Sequence, residues 1–140
     1  MLHYIKELSD FGLFVLIWLV QLIIYPSFTF MKKSSLIIWH PIYTKRISVV
    51  VMPLMLLQIA LTFYLTYSSF NYFLLFQSII IIFIWISTFF QAVPLHNQIE
   101  SGVKMKKAAE KLVQANWKRT IMWSLIVILN FLDRFTTLNN

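Results

Sequence analysis

The sequence predicts an all-α polytopic membrane protein, an antiparallel four-helix transmembrane bundle with an additional interfacial basic helix. Apolar residues make up 59% of the 140 residues and charged residues only 12%, whereas a soluble chain carries roughly a quarter charged residues. The uncharged residues form long runs, and the basic residues lie between those runs. This composition excludes a soluble enzyme domain, a disordered tail and a nucleic-acid-binding module.

The uncharged runs define the helices in chain order. Residues 11–31 are long enough for one membrane-spanning helix, and residues 47–99 are long enough for two. A short polar stretch at residues 68–71 separates these two, so they are predicted to be antiparallel neighbours. We therefore predict a single membrane domain over residues 1–140, with helices at about 8–30, 36–67, 71–97 and 112–135.

The fourth helix poses a question about Arg119. Its uncharged core, residues 120–132, is too short to cross a hydrocarbon layer of about 30 Å. If the helix begins before Arg119, that side chain lies at membrane depth. It then either points into the bundle or extends to the lipid headgroups.

The basic residues indicate an orientation. Most Lys and Arg residues lie in residues 32–46 and 104–119, and positively charged loops of inner-membrane proteins stay in the cytoplasm. We therefore expect a multi-pass protein of the inner membrane with both termini outside. Lys104, Lys107 and Lys111 form one stripe at helical spacing, which predicts a helix that rests on anionic lipid.

Polar side chains within the apolar runs are concentrated toward the cytoplasmic end, and the outer half is predicted to be aliphatic and Phe-rich. Such side chains usually face the interior of a membrane bundle. We predict a pocket that opens toward the cytoplasm and binds a hydrophobic small molecule. Its predicted binding residues are Gln21, Tyr25, Tyr43, Gln58, Gln91, Asn97, Asn116, Trp117 and Trp123.

His40, His96 and Arg119 are the predicted catalytic residues, because helices two, three and four bring them to the same membrane end. Arg119 would supply a fixed positive charge, and a neutral imidazole would accept a proton. Two other interpretations of the histidines stay open, namely a haem held by His40 and His96 and purely structural hydrogen bonding. Cysteine is absent, His96 and Glu100 alone are a weak metal signal, and we assign no metal ligand.

Four short segments resemble a known group of proteins. They are residues 18–26 (WLVQLIIYP), 39–46 (WHPIYTKR), 91–97 (QAVPLHN) and 112–120 (LVQANWKRT). Together they resemble small four-helix bacterial membrane proteins of unknown function, a group that is similar to the anthrone-oxygenase-like membrane family. Thr44 departs from the pattern, because relatives often carry a second His there. The resemblance implies an oxidoreductase that acts on a hydrophobic substrate without a clear cofactor.

Three functions therefore remain open from the sequence. The first is a membrane enzyme, oxidoreductase-like, that acts on a small hydrophobic ring-bearing substrate. The second is a haem- or quinone-binding protein that uses His40 and His96. The third is a non-enzymatic accessory subunit of a membrane complex. The lipid bilayer is the one partner that the composition predicts, and the sequence sets no oligomeric state.

Overall fold

Four long helices make up most of the chain. The computed structural model describes residues 1–138, in which α1 spans Leu2–Phe30, α2 spans Lys33–Ser68, α3 spans Tyr72–Glu100 and α4 spans Met105–Leu138. No strand occurs within these described residues. The prediction of an all-α, four-helix architecture is therefore confirmed. The last two residues of the predicted domain, 139 and 140, lie outside the described chain.

The helices form an antiparallel bundle. α1 packs against α2 and α4, and α3 packs against the same two helices. The connections are only a few residues long, so consecutive helices run in opposite directions. We name the two ends of the bundle after residues that lie there. α1 and α3 begin at the Lys6 end, and α2 and α4 begin at the Glu100 end.

Three helices, α1 to α3, are long and apolar enough to cross a membrane. α4 differs, because a single continuous helix covers both the basic segment and the apolar segment. The prediction of a separate interfacial helix was wrong. The side of that segment opposite its lysines packs into the bundle core, where Met105, Ala108, Ala109 and Leu112 are buried.

The turns between helices have local causes. Asn71 precedes α3, and its side-chain oxygen accepts a hydrogen bond from the Leu74 amide at 2.8 Å, which satisfies an amide that the helix leaves free. Between α3 and α4 the chain passes through Gly102 with φ of 73° and Lys104 with φ of 50°. These left-handed conformations end α3 and allow the chain to reverse into α4.

α1 and α3 each contain a π-helical segment, at Val20–Ile24 and Thr88–Ala92. A π turn holds more residues than an α turn, so the side chains that follow it are rotated around the helix axis. A proline follows each segment, Pro26 in α1 and Pro94 in α3. The residues placed by these two irregularities include Tyr25 and His96, which belong to the site described below.

A charged network is buried at the Lys6 end. Lys6 is 1% exposed and Asp10 is fully buried, with 2.7 Å between the Lys6 Nζ and Asp10 Oδ2 atoms. Asp10 also accepts hydrogen bonds from Gln58 and Asn130, both at 2.8 Å. The expectation of a featureless aliphatic half at this end was therefore wrong. Two charges that precede the first apolar run lie inside the bundle, not in solvent.

Candidate functional site

A cavity of about 390 Å³ lies in the half of the bundle nearer the Glu100 end. Its wall is mostly apolar, with contributions from Val51, Met55, Trp85 and Trp123. A smaller set of polar side chains also lines it: Tyr25, Tyr43, Thr44, Ser48, Thr88, His96, Asn97, Glu100 and Arg119. An apolar chamber with a few polar groups is the usual form of a small-molecule site.

A chain of hydrogen bonds leads from this cavity to the Glu100 end. The Tyr25 hydroxyl lies 3.0 Å from His96 Nε2, and His96 Nδ1 lies 2.9 Å from His40 Nε2. His40 Nδ1 in turn lies 3.2 Å from a carboxylate oxygen of Glu100. That same oxygen accepts a hydrogen bond from the Thr44 hydroxyl at 3.1 Å. We call Tyr25, His96, His40 and Glu100 the relay.

With Glu100 ionised and both imidazoles neutral, one arrangement of protons satisfies the whole relay. The carboxylate can only accept, so His40 donates from Nδ1 and its Nε2 atom accepts. His96 therefore donates from Nδ1 and accepts at Nε2, where the Tyr25 hydroxyl donates. The relay thus has a direction, because every O–H or N–H bond in it points toward Glu100 and every accepting atom faces the cavity side.

The relay connects the interior of the bundle with its surface. His40 is fully buried, whereas the Glu100 side chain is 37% exposed. Phe28 fixes the plane of the buried imidazole, because its ring meets His40 edge to face at a centroid distance of 5.3 Å. His40 does not line the cavity itself but contacts it through His96.

Arg119 is the remaining charged group at the cavity. Its side chain does not extend to headgroups, because the residue is only 6% exposed and lines the cavity wall. The buried Nη2 atom has no hydrogen-bond partner among the described residues. An unpaired guanidinium in an apolar bundle is costly. Because Arg119 also lines the cavity, its guanidinium can donate to an oxygen that enters the cavity.

Several predicted binding residues have structural partners and lie away from the cavity. Asn116 donates to Gln21 at 2.9 Å, which ties α4 to α1. Gln58 donates to Asp10 and accepts a bond from the Trp123 indole at 3.3 Å, so it orients a wall of the cavity. Gln91 accepts a bond from the Ser87 hydroxyl within α3 at 3.2 Å.

Trp117 and Asn97 occupy opposite situations. Trp117 is 43% exposed and packs edge to face against Trp18, with ring centroids 5.9 Å apart; it does not line the cavity. Asn97 does line the cavity, on its exposed rim. Of the predicted residues, Tyr25, Tyr43, His96, Asn97, Arg119 and Trp123 therefore surround one space.

The geometry of the two histidines does not fit a haem between them. A bis-histidine haem holds its iron between two imidazole nitrogens, one on each face of the porphyrin. Here the two rings bond each other directly at 2.9 Å, which leaves no room for an iron atom. Within residues 1–138, no group of three or more His, Asp or Glu residues is arranged to hold a metal ion.

Sequence reasoning missed Glu100 and Thr44 as members of the site. The helical spacing of His96 and Glu100 gave only a weak metal signal. In the structure Glu100 instead reaches across to α2, where it bonds both His40 and Thr44. The available signal was the single carboxylate at the end of an apolar run that also contains a histidine.

Comparisons of the chain with protein families, with curated proteins and with solved structures found no match.

Proposed function

We propose that the protein is a membrane enzyme that binds a small lipophilic, ring-bearing acid in the cavity and removes a proton from it. The observation that supports this most directly is the relay, which joins a cavity-lining phenol to an exposed carboxylate through two imidazoles. Groups of this kind serve as general bases when they lie within hydrogen-bond reach of one another. The relay explains why two histidines are placed in contact at the end of an apolar bundle.

The proton transfer proceeds as a series of short steps. The substrate gives its proton to the Tyr25 oxygen as the tyrosine proton passes to His96 Nε2. The His96 Nδ1 proton then passes to His40, and the His40 Nδ1 proton passes to Glu100. The substrate is left as an anion and Glu100 is left as a carboxylic acid, which releases its proton to water at the surface. Each residue except Glu100 ends with as many protons as it had.

Arg119 stabilises the anion that forms. A guanidinium stays protonated, so it can donate to a phenolate or enolate oxygen without supplying a proton. In a cavity with little water such a donor is worth more than in solution. An anthrone has the required chemistry, since loss of the ring C–H proton puts negative charge on its carbonyl oxygen. Dioxygen can then oxidise the carbanion, giving an anthraquinone and hydroxide, and the hydroxide takes up a proton to form water.

We also propose the membrane arrangement that this chemistry needs. The basic segments 32–46 and 104–119 adjoin the Glu100 end, so that end faces the cytoplasm by the positive-inside rule. α4 then crosses the membrane as the fourth span, and both termini lie outside. Glu100 would therefore release its proton to the cytoplasm.

The test uses anthrone as the probe and purified protein in lipid vesicles. We expect protein-dependent conversion of anthrone to anthraquinone in air, and protein-dependent exchange of the ring C–H proton for deuterium under nitrogen. Tyr25→Phe should slow both by about 10²-fold or more, whereas Tyr64→Phe, on the lipid-facing surface, should slow neither. Wild-type protein without exchange would refute the proposal and favour an accessory subunit.

A further inference from the structure

Side-chain hydrogen bonds join α2 and α3 near both ends, and the cavity lies between the two helices in the half nearer the Glu100 end. Toward the Lys6 end the hydroxyls of Thr66 and Ser78 lie 2.9 Å apart. At the Glu100 end the helices are joined through the His40–His96 bond at 2.9 Å. Between these contacts, residues of both helices line the cavity and are also exposed on the outer surface. The cavity therefore lies directly behind the boundary between α2 and α3. The bundle therefore has an opening in its side.

The opening is apolar and lies within the membrane-spanning parts of both helices. Its margins are Ser48 and Met52 on α2 and Phe89 and Val93 on α3, all of which line the cavity and are exposed; Asn97 and Glu100, which also do both, lie at its polar end. The four margin residues fall within residues 47–99, which carry no charge. In a bilayer these four residues face lipid acyl chains.

The cavity behind the window is small and has a cation in its wall. Its volume of about 390 Å³ is near the lower limit for a ligand site, so it holds a ring or a headgroup but not a long chain. Arg119 is 6% exposed, and its buried Nη2 atom lacks a partner. The site therefore selects a molecule whose polar oxygen reaches inward and whose apolar part extends outward.

We propose that the natural ligand is an amphiphile that moves laterally from the bilayer through the α2–α3 window. Its anionic oxygen binds Arg119, and its hydrocarbon tail remains between α2 and α3 in the lipid. The inference rests on the proposed function for the proton chemistry of the headgroup, but the route and the tail are independent of that chemistry. It narrows the proposed substrate class from lipophilic, ring-bearing acids to those that also carry a hydrocarbon chain.

Trp123 allows this arrangement to be tested without turnover. Its indole lines the cavity and the residue is only 3% exposed. A single-tryptophan protein is made by replacing Trp18, Trp39, Trp85 and Trp117 with Phe, and is reconstituted in phosphatidylcholine vesicles. The probes are stearates with a nitroxide on carbon 5 or on carbon 16, since a nitroxide quenches an indole close to it.

A head-in, tail-out ligand places only carbon 5 near the indole. We expect the 5-nitroxide stearate to quench Trp123 at concentrations about tenfold lower than the 16-nitroxide stearate, and aqueous iodide to have little effect. Arg119→Gln should remove the preference for carbon 5. Equal quenching by the two stearates would overturn the inference. So would strong quenching by iodide when neither stearate is present.

Window variants separate the route from the site. Ser48→Phe should weaken quenching by the 5-nitroxide stearate about tenfold, whereas Val49→Phe, on the lipid face of the same helix, should not. If the single-tryptophan protein fails to fold, the difference between wild type and Trp123→Phe gives the same signal. Selective quenching that persists in Tyr25→Phe supports the inference even if anthrone turnover is absent. Anthrone turnover without selective quenching by the 5-nitroxide stearate would overturn this inference and leave the proposed function intact.

Discussion

His96 and His40 are bonded directly to each other, Nδ1 to Nε2 at 2.9 Å, across the boundary between α3 and α2. Two imidazoles in this contact share one proton, so a change in the protonation of either one alters the proton affinity of the other. The pair is extended by Tyr25 on the side of the cavity and by Glu100 on the side of the surface. Proton movement at this site is therefore a property of the chain of groups and not of one residue.

Glu100→Gln tests the surface outlet. The amide can still accept a hydrogen bond from His40, but it cannot take up a proton as the carboxylate does. We expect deuterium exchange of anthrone to slow by about 10²-fold, with the affinity of the probe unchanged. Glu110→Gln, an exposed change on α4, is the control. Equal rates in the two variants would show that Glu100 is not the terminal acceptor.

Arg119→Met tests whether the buried guanidinium is kept for a ligand. The charge lacks a partner for Nη2, so its removal should raise the free energy of unfolding of the empty protein by about 1–3 kcal/mol. The same change should abolish binding of an anionic amphiphile. Thermal unfolding in detergent and the stearate quenching assay measure the two effects. Lys118→Met, at the exposed neighbouring position, should alter neither, and a destabilised Arg119→Met protein would contradict this account.

The proposed orientation predicts opposite labelling at the two interhelical turns flanking α3. Ser69 lies in the turn before α3 and Ser101 in the turn after it, and both are exposed. With no native cysteine, Ser69→Cys and Ser101→Cys each give a single site. A membrane-impermeant maleimide added to intact cells should label Ser69→Cys only. Labelling of both from one side would mean that α3 does not cross the membrane.

The sequence allowed the helices to be predicted because a membrane imposes a simple rule. Long uncharged runs with basic flanks leave few alternatives to helices, and all four helices occur near their predicted places. The boundaries were less accurate where charges enter the bundle. α1 begins at Leu2, ahead of Lys6 and Asp10, because partners on other helices satisfy those charges. The pattern of residues within one helix does not reveal such partners.

The side chains of the site were harder to predict for two physical reasons. A prediction from regular helical spacing assumes that every residue turns by the same angle about the helix axis. The π-helical segments before Tyr25 and His96 change that angle. Contacts between helices also depend on where each residue lies along the bundle axis, and the spacing within one helix does not give that position. His40 and Glu100 are far apart in the chain but lie at the same level of the bundle, where they meet. Gln21 and Asn116 were predicted to bind a ligand in the pocket, but in the structure they form a hydrogen bond with each other.

The buried pair at the Lys6 end gives the final prediction. Asp10 is fully buried and accepts bonds from Lys6, Gln58 and Asn130. Asp10→Leu leaves the Lys6 ammonium buried without its carboxylate, so we expect it to lower the free energy of unfolding by about 3–5 kcal/mol.

Replacing both charges should recover most of that loss, because two apolar side chains need no ionic partner. The double variant Lys6→Met, Asp10→Leu should therefore have a free energy of unfolding within about 1–2 kcal/mol of the wild-type value. The remaining difference reflects the amides of Gln58 and Asn130, which lose an acceptor. The exposed pair of Glu7 and Arg134 is the matched control, and Glu7→Gln should change stability little. Denaturant unfolding in mixed micelles, followed by far-UV circular dichroism, measures all three. A double variant no more stable than Asp10→Leu alone would show that the carboxylate, and not its pairing with Lys6, holds α1 in the bundle.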